Sequence, residues 1–349
     1  LLSSPDDIKL EVSMKEFPYQ KEYNFSEIET ALLDKEKPFP PSLLYFFSDI
    51  TPEDLEKLTV VWPQVETLRR RGLLEDMESM AESDTILFFD TFARMCLQDD
   101  DPVARATAIR LLWQSQQEDL IPVFLKMLEE DPVSTVRAAA ASGLGGFVYL
   151  GELEEIKEQT YNHLLKCLMD THLGTDEVLV RRRALEALGF ASQPDIQQFI
   201  QKAYDSNDEE WLQSALFAMG RSCDQRWASS VLQMIDHPDP TVRFEAIRAA
   251  GELEIQDARD LLFDILEEGT DDDELYYAVI WSLSKIGGEG VRSLIESSID
   301  ETDDEEEIQI LEEALENLDF TEQVNLFDMM YVEEDDLDEL EDDDDWEED

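Results

Sequence analysis

The sequence predicts an all-α fold: a right-handed α-solenoid of stacked helix pairs. The stretch HPDPTVRFEAIRAAGELE shows why. Asp239 can cap a first helical turn, and Pro240 suits the first helical position. Apolar residues then recur every fourth position from Val242, which places them on one face of a helix. Gly251 is expected to end the helix in the left-handed conformation.

The same template recurs along the chain, mostly at intervals of 31 to 35 residues. A period of this length is typical of stacked helical repeats. The residues at the Val242 position, called position zero, are Ala104, Val136, Val180, Trp211, Val242, Leu275 and Ile310. Position plus one is arginine in four units: Arg105, Arg137, Arg181 and Arg243. Glycine at plus nine is found at Gly145, Gly189, Gly220 and Gly251. An acidic residue at minus three is found at Asp101, Glu177, Asp208, Asp239, Asp272 and Glu307.

Second apolar runs such as EDLIPVFLKMLEE and ARDLLFDILEE lie between the template helices, so each unit contains two helices. The predicted organisation is an irregular N-terminal arm or cap over 1–50, degenerate helical repeats over 51–98, the repeat solenoid over 99–330 and a disordered acidic tail over 331–349. Thr51 and Pro52 mark a helix start at the beginning of the degenerate repeats.

Charge is the second strong feature. The net charge is -58, and residues 293–349 contain 28 acidic residues without a Lys or Arg. Such a chain repels nucleic acid, because phosphate neutralisation by Lys and Arg supplies most of that affinity. The clusters Arg69–Arg71 and Arg181–Arg183 lie inside predicted helices and are expected to neutralise local acids. The composition therefore predicts no direct nucleic-acid binding.

The runs VRRRALEALGF and VRFEAIRAAGEL resemble HEAT repeats, and more closely the short variety named after the phycobilin lyase subunits (PBS lyase HEAT-like). The resemblance covers 99 to about 330. It implies a structural ladder in which Arg105, Arg137, Arg181 and Arg243 reach acidic turns of neighbouring units, with Asp101 and Asp239 among the acids. A row of anion-binding arginines is the alternative.

Enzymatic readings are disfavoured. The family includes phycobilin lyases and deoxyhypusine hydroxylase, which holds two irons with His-Glu dipeptides, but His163, His172 and His237 are followed by Leu, Leu and Pro. The chain has no G-x-S-x-G, P-loop or H-E-x-x-H motif, and Cys96, Cys167 and Cys223 have no metal-site spacing. We therefore expect no catalytic residue, cofactor or metal.

The expected function is a scaffold or adaptor that binds a basic protein or peptide, steered by negative charge. The candidate anchors are Trp227, Tyr276, Tyr277 and Trp346, whereas Trp211 and Trp281 are interpreted as packed residues. Alternatives are a HEAT-like enzyme subunit and a structural subunit of an assembly. With no 18-residue apolar run, we expect no membrane contact, a cytoplasmic location, and a monomer or a subunit of a hetero-complex. The sequence does not begin with Met, so its true start is left open.

Overall fold

The computed structural model describes residues 23–84, 86–270 and 272–341, with side chains described as far as residue 323. All regular structure within these ranges is helical, which confirms the all-α class. The chain divides into two compact units between Phe147 and Val148.

The first unit contains the helices α1 to α6 and most of α7. Their bounds are α1 Phe25–Leu33, α2 Pro52–Val61, α3 Thr67–Ser83, α4 Asp90–Cys96, α5 Pro102–Leu111, α6 Leu120–Glu130 and α7 Ser134–Glu152. A 3-10 helix, Pro41–Phe47, follows α1 in the predicted cap. The rings of Phe47, Phe92 and Trp62 pack on one another there, with centroids 4.7 and 5.0 Å apart. The cap is thus joined to the helices that follow it by a buried aromatic cluster.

The second unit contains ten helices, α8 to α17. Their bounds are α8 Glu158–Leu173, α9 Val178–Leu188, α10 Pro194–Tyr204, α11 Glu209–Arg221, α12 Ala228–Leu232, α13 Pro240–Glu252, α14 Arg259–Glu268, α15 Asp273–Ile286, α16 Val291–Glu301 and α17 Glu305–Glu341. The template helices α9, α11, α13, α15 and α17 pack directly on one another in that order. Each also packs on the helix that precedes it. The template helix is therefore the second member of its pair and belongs to a closely packed layer.

The acidic residue at minus three caps its own helix where it is aspartate. The carboxylates of Asp101, Asp208 and Asp272 each accept from the backbone N–H of position zero, at 3.0 to 3.2 Å. Asp239 accepts from the N–H groups of Thr241 and Val242, both at 3.0 Å. Glu177 makes no side-chain cap. The shorter side chain suits the cap geometry, in agreement with the predicted start at Asp239.

Replacing Asp239 by alanine should lower the free energy of unfolding by about 1 kcal/mol, because two N–H groups of α13 lose their acceptor. The pKa of Asp239 is lowered chiefly by the hydrogen bond from the Thr241 hydroxyl. The cap is thus fully formed above the ordinary aspartate pKa and is lost as pH falls through the lowered value. Urea denaturation at pH 7 measures the effect. The matched control is Asp236→Ala at an exposed position outside the helix; equal losses in both variants would contradict the capping role.

The glycine at plus nine does not end its helix in the left-handed conformation, contrary to the sequence prediction, and Gly189 caps α9 with a right-handed backbone. Gly251 is buried within α13, and its φ is not positive. A Cβ at Gly251 would lie 2.7 Å from the Cα of Ser282 on α15. Gly189 and Gly220 face Ala218 and Ala249 of the next template helix in the same way, at 2.8 and 3.1 Å. These glycines allow neighbouring template helices to approach closely.

The last unit departs from the predicted register. Ile310 is partly exposed, whereas Leu311 is fully buried, so Leu311 takes position zero in α17. This helix continues to Glu341, past the predicted end of the solenoid at Met330. Glu and Leu, which are frequent in 331–341, are strong helix formers. Residues 342–349 of the predicted tail lie outside the described residues.

A candidate binding groove on the template helices

Two adjoining clefts form a groove along α11, α13 and α15, which begins at Tyr149 and at Phe190 just after α9. The first has a volume of about 310 Å³ and lies between Phe190 and Glu252. The second, of about 250 Å³, extends to Trp281 and Lys285 on α15. They share Arg248 and Glu252. We call this surface the template groove. Positions plus six and plus ten of three template helices line it: Phe217, Arg221, Arg248, Glu252, Trp281 and Lys285.

Guanidinium groups lie over aromatic rings along the groove. Arg221 lies 4.6 Å from the centroid of Phe190 and 4.4 Å from that of Phe217. Arg248 lies 5.7 Å from Phe217 and 5.8 Å from Phe244. Burial lowers the pKa of Arg221, with the charge of Arg248 adding to the effect. The ring faces in this part of the groove are therefore already occupied by the protein's own cations.

The α15 end of the groove is different. Trp281 is 40% exposed and lines the cleft beside Tyr277. Within the described residues, no cation lies over either ring. Glu252 and Glu274 line the same cleft, and Lys285 binds Glu252 at 2.9 Å. An accessible aromatic face next to carboxylates is the environment that suits a cationic side chain.

Glu245 adds a desolvated carboxylate to the middle of the groove. Its pKa is raised by burial, which the charge of Arg248 partly offsets. The contact between these two side chains is loose, at 3.5 Å. A further cation near Glu245 would favour the ionised carboxylate.

The anchors predicted from the sequence differ in how exposed they are. Trp227 is 4% exposed and belongs to the core, so its prediction as an anchor is wrong. Trp227 is the last residue of a 3-10 helix, Gln225–Trp227, directly before α12. Tyr276 and Tyr277 are half-buried and pack on each other, with centroids 5.3 Å apart. Trp346 lies outside the described residues.

Two tryptophans that the sequence favoured as packed residues are accessible. Trp281 lines the template groove, and Trp211 lines a separate cleft beside Arg181. Trp281 sits at plus six of its template helix, the position that holds Phe217 and Arg248 in the two units before it. The residue types at position plus six, compared between repeats, indicate an accessible helix face. The spacing of apolar residues alone does not indicate it.

The four arginines of the predicted ladder differ in the contacts they make. Arg105 binds Asp131 of the next acidic turn with two hydrogen bonds of 2.9 Å. Arg137 donates to the carbonyl of Asp131 at 2.8 Å, and Arg181 to that of His172 at 2.9 Å. The Nε of Arg243 is buried without a hydrogen-bond partner in the described residues. Arg105, Arg137 and Arg181 therefore share a backbone carbonyl near the end of the preceding helix as partner, and Arg105 binds an acid as well.

Four arginines of the two basic clusters pair with nearby acids, whereas Arg69 and Arg181 donate to backbone carbonyls instead. Arg70 binds Asp99 and Asp100, and Arg71 binds Asp101. The Asp101 carboxylate therefore caps α5 and also forms an ion pair with Arg71. Arg182 bonds to Ser214 and Glu210, and Arg183 to Glu186.

In the part of the chain that the structure describes, no three His, Cys, Asp or Glu side chains are grouped to hold a metal ion. His163 lies beside Cys167, and His172 packs against Phe199 and Trp211. These residues do not assemble the donors of a di-iron centre. No described helix has the length and apolarity needed to cross a membrane.

Comparison with known families decides the classification. Residues 90–175 and 228–316 match the family of HEAT repeats, and together they make up half of the chain. The chain belongs to the HEAT-repeat family. The first HEAT match begins at α4, earlier than the predicted solenoid start at residue 99. The interval between the matches contains α9, α10 and α11, where the repeat template is nevertheless present.

The solved structures that match this chain include the Escherichia coli protein YibA, at 16% identity and a TM-score of 0.32, covering 73% of this chain and 98% of that one. Human deoxyhypusine hydroxylase, solved in complex with glycerol, matches at 16% identity and a TM-score of 0.33, covering 88% of this chain and 97% of that one. No curated protein sequence matches the chain.

Proposed function

We propose that this HEAT-repeat protein is a non-catalytic adaptor that binds a basic protein or peptide along the template groove. The observation that supports the proposal most directly is the accessible face of Trp281. The rings of Phe217 and Phe244 in the two preceding units hold arginines of the chain itself. Trp281 continues that series without a cation of its own among the described residues. A lysine or arginine of a partner would complete it.

Carboxylates around Trp281 favour the same ligand. Glu252 and Glu274 line its cleft, and Glu245 lies farther along the groove with a raised pKa. An incoming guanidinium would gain a ring face and a carboxylate together, and Arg is suited to both contacts. The groove continues past α13 to Phe190 just after α9, so an extended segment of the partner would contact several repeats.

The net charge supports the rate of encounter. A charge of -58 attracts basic partners over distances near the Debye length and raises their association rate at low salt. Such attraction acts over the whole surface, so it does not select the groove. Specific binding must therefore depend on uncharged contacts as well. Substitution of Trp281 separates the contribution of these contacts from that of the net charge.

The test is calorimetric titration with a hexa-arginine peptide at about 50 and 200 mM salt. We expect Trp281→Ala to weaken binding about tenfold at the higher salt, because the desolvated ring contact is lost while the net charge is unchanged. The control is Phe320→Ala. It removes an exposed aromatic ring of the second compact unit, and this ring lines neither cleft of the groove.

Hexa-citrulline, in which each guanidinium is replaced by a neutral group, should bind at least tenfold more weakly than hexa-arginine. If Trp281→Ala and Phe320→Ala bind hexa-arginine as tightly as the unchanged protein at both salt concentrations, the attraction is diffuse and the groove proposal is wrong.

A further inference from the structure

A second cleft of the same unit has the opposite charge. It has a volume of about 480 Å³ and lies between the end of α8, α9, α10 and the start of α11. Its lining includes His172, Arg181, Phe199, Lys202 and Trp211. None of its nine lining residues is acidic, although 85 of the 349 residues of the chain are Asp or Glu. We call it the basic cleft.

Among the residues that the structure describes, the cations of the basic cleft have no carboxylate partner. Arg181 donates through Nε to the carbonyl of His172 at 2.9 Å, and its guanidinium lies 5.5 Å from the centroid of Trp211. Within the described residues, neither Arg181 nor Lys202 makes an ion pair. The neighbouring Arg182 and Arg183 both bind glutamates. Two positive charges in one cleft repel each other, and an anion between them would remove that cost.

The aromatic side chains form the rest of a binding site. The imidazole of His172 lies 5.1 Å from the ring of Phe199 and 5.6 Å from that of Trp211. Trp211 occupies position zero, where the preceding units have smaller residues, and its ring is half-buried instead of fully buried. Flat apolar faces and two cations in one cleft suit a planar ring that carries negative charge.

His172 reports on the electrostatics of the cleft. Its Nδ1 lies 3.3 Å from the carbonyl oxygen of Arg181, which can only accept, so this nitrogen carries the proton in the neutral ring. Burial lowers the pKa of His172, and the charges of Arg181 and Lys202 lower it further. An anion bound beside these two cations would oppose their effect and raise the pKa of His172.

We propose that the basic cleft is a binding site for an aromatic anion, in which the ring packs against Phe199 and Trp211 and the anionic group lies between Arg181 and Lys202. The site is separate from the template groove, and its ligand has the opposite charge. Neither proposal depends on the other.

Titration with phenyl phosphate tests the site, with inorganic phosphate and phenol as probes of the charge and the ring alone. We expect phenyl phosphate to bind at least tenfold more tightly than either, because the cleft offers contacts to both parts. Imidazole resonances provide a second readout, since the chain has only three histidines. The pKa of His172 should rise on saturation, whereas the resonances of His163 and His237 should not move. Equal weak binding of all three probes, or an unmoved His172, would overturn the proposal.

Substitutions of the two cations test whether the anionic group binds between them. Arg181→Gln should weaken phenyl phosphate binding at least tenfold, and Lys202→Gln about fivefold, because each removes one charge from the cleft. Lys202 is exposed, so its variant remains informative even if Arg181→Gln fails to fold. Lys166→Gln, an exposed site on α8 outside the cleft, is the charge-matched control and should change binding less than twofold. Equal effects of Lys202→Gln and Lys166→Gln would contradict the assignment.

The acidic segment around Trp346 also carries an aromatic ring and negative charge, so it is a second source of the proposed ligand chemistry. A synthetic peptide with the sequence of residues 342–349, DDDDWEED, provides this arm of the test. Displacement of phenyl phosphate by this peptide, and not by its Trp-to-Ala version, would identify the chain terminus as a source of the ligand chemistry. Binding of phenyl phosphate without competition would indicate a free small molecule. Failure of both to bind would refute the site.

Discussion

Replacing Asp99 by alanine is expected to lower the free energy of unfolding of the first unit by about 3–5 kcal/mol. The Asp99 side chain is fully buried and accepts from Nη1 of Arg70 at 2.6 Å, Nε1 of Trp62 at 2.7 Å and the N–H of Asp101 at 2.8 Å. Its removal leaves a buried guanidinium, an indole N–H and a backbone N–H without this acceptor. Each unsatisfied group adds a desolvation cost.

Urea denaturation followed by circular dichroism measures the loss, and hydrogen exchange of the α3 and α5 amides shows whether it is confined to the first unit. The control is Asp100→Ala, since Asp100 binds the same Arg70 at 2.9 Å but its side chain is 85% exposed. Its loss should be about 1 kcal/mol or less. Similar losses in the two variants would show that burial does not set the strength of this network.

A second large effect is expected from Gly251→Ala, which should cost about 2–3 kcal/mol by overpacking. The new Cβ would lie 2.7 Å from both the Cα and the Oγ of Ser282. Ser282 cannot move aside easily, because it is buried and its hydroxyl donates to the carbonyl of Ile247 at 2.9 Å. The helices α13 and α15 must therefore separate, which loosens the layer that carries the template groove.

The matched control is Gly72→Ala in α3, where an added Cβ meets no atom within 4 Å. This change should stabilise the protein by about 0.5–1 kcal/mol, since alanine has the higher helix propensity. Thermal unfolding of both variants measures the contrast. If Gly251→Ala were as stable as the unchanged protein, close approach of α13 and α15 would not be the reason for glycine at this position.

Local patterns predicted the helices well. The apolar spacing in VRFEAIRAAGEL, together with Asp239 and Pro240, marks a helix start that depends only on groups within one turn. The same is true of the Asp caps on α5, α11 and α15. The repeat interval then orders these helices, because each unit needs its neighbours to cover its apolar face. The HEAT-repeat fold was therefore predictable before any contact was known.

The candidate sites were much less predictable. Trp227 and Trp281 are both aromatic residues in helical surroundings, yet one is buried and the other lines the template groove. Their exposure depends on which neighbouring helix covers each ring, and that information is not local. The basic cleft combines residues from four helices between His172 and Trp211; the repeat template places Arg181 and Trp211 at plus one and zero but does not show that they meet.

By itself, the sequence determined the helical class, the repeat interval, the Asp-capped starts and the strongly negative charge of this protein. These properties follow from backbone capping, apolar periodicity and composition, all of which act over a few residues or over the whole chain. Tertiary structure alone decided that Gly251 serves helix contact instead of helix termination, that Arg105 binds Asp131 whereas Arg181 has no acidic partner in the described part of the chain, and that Trp281 is accessible. Each of these depends on the distance between side chains about 30 residues apart in sequence, which packing sets and local pattern does not.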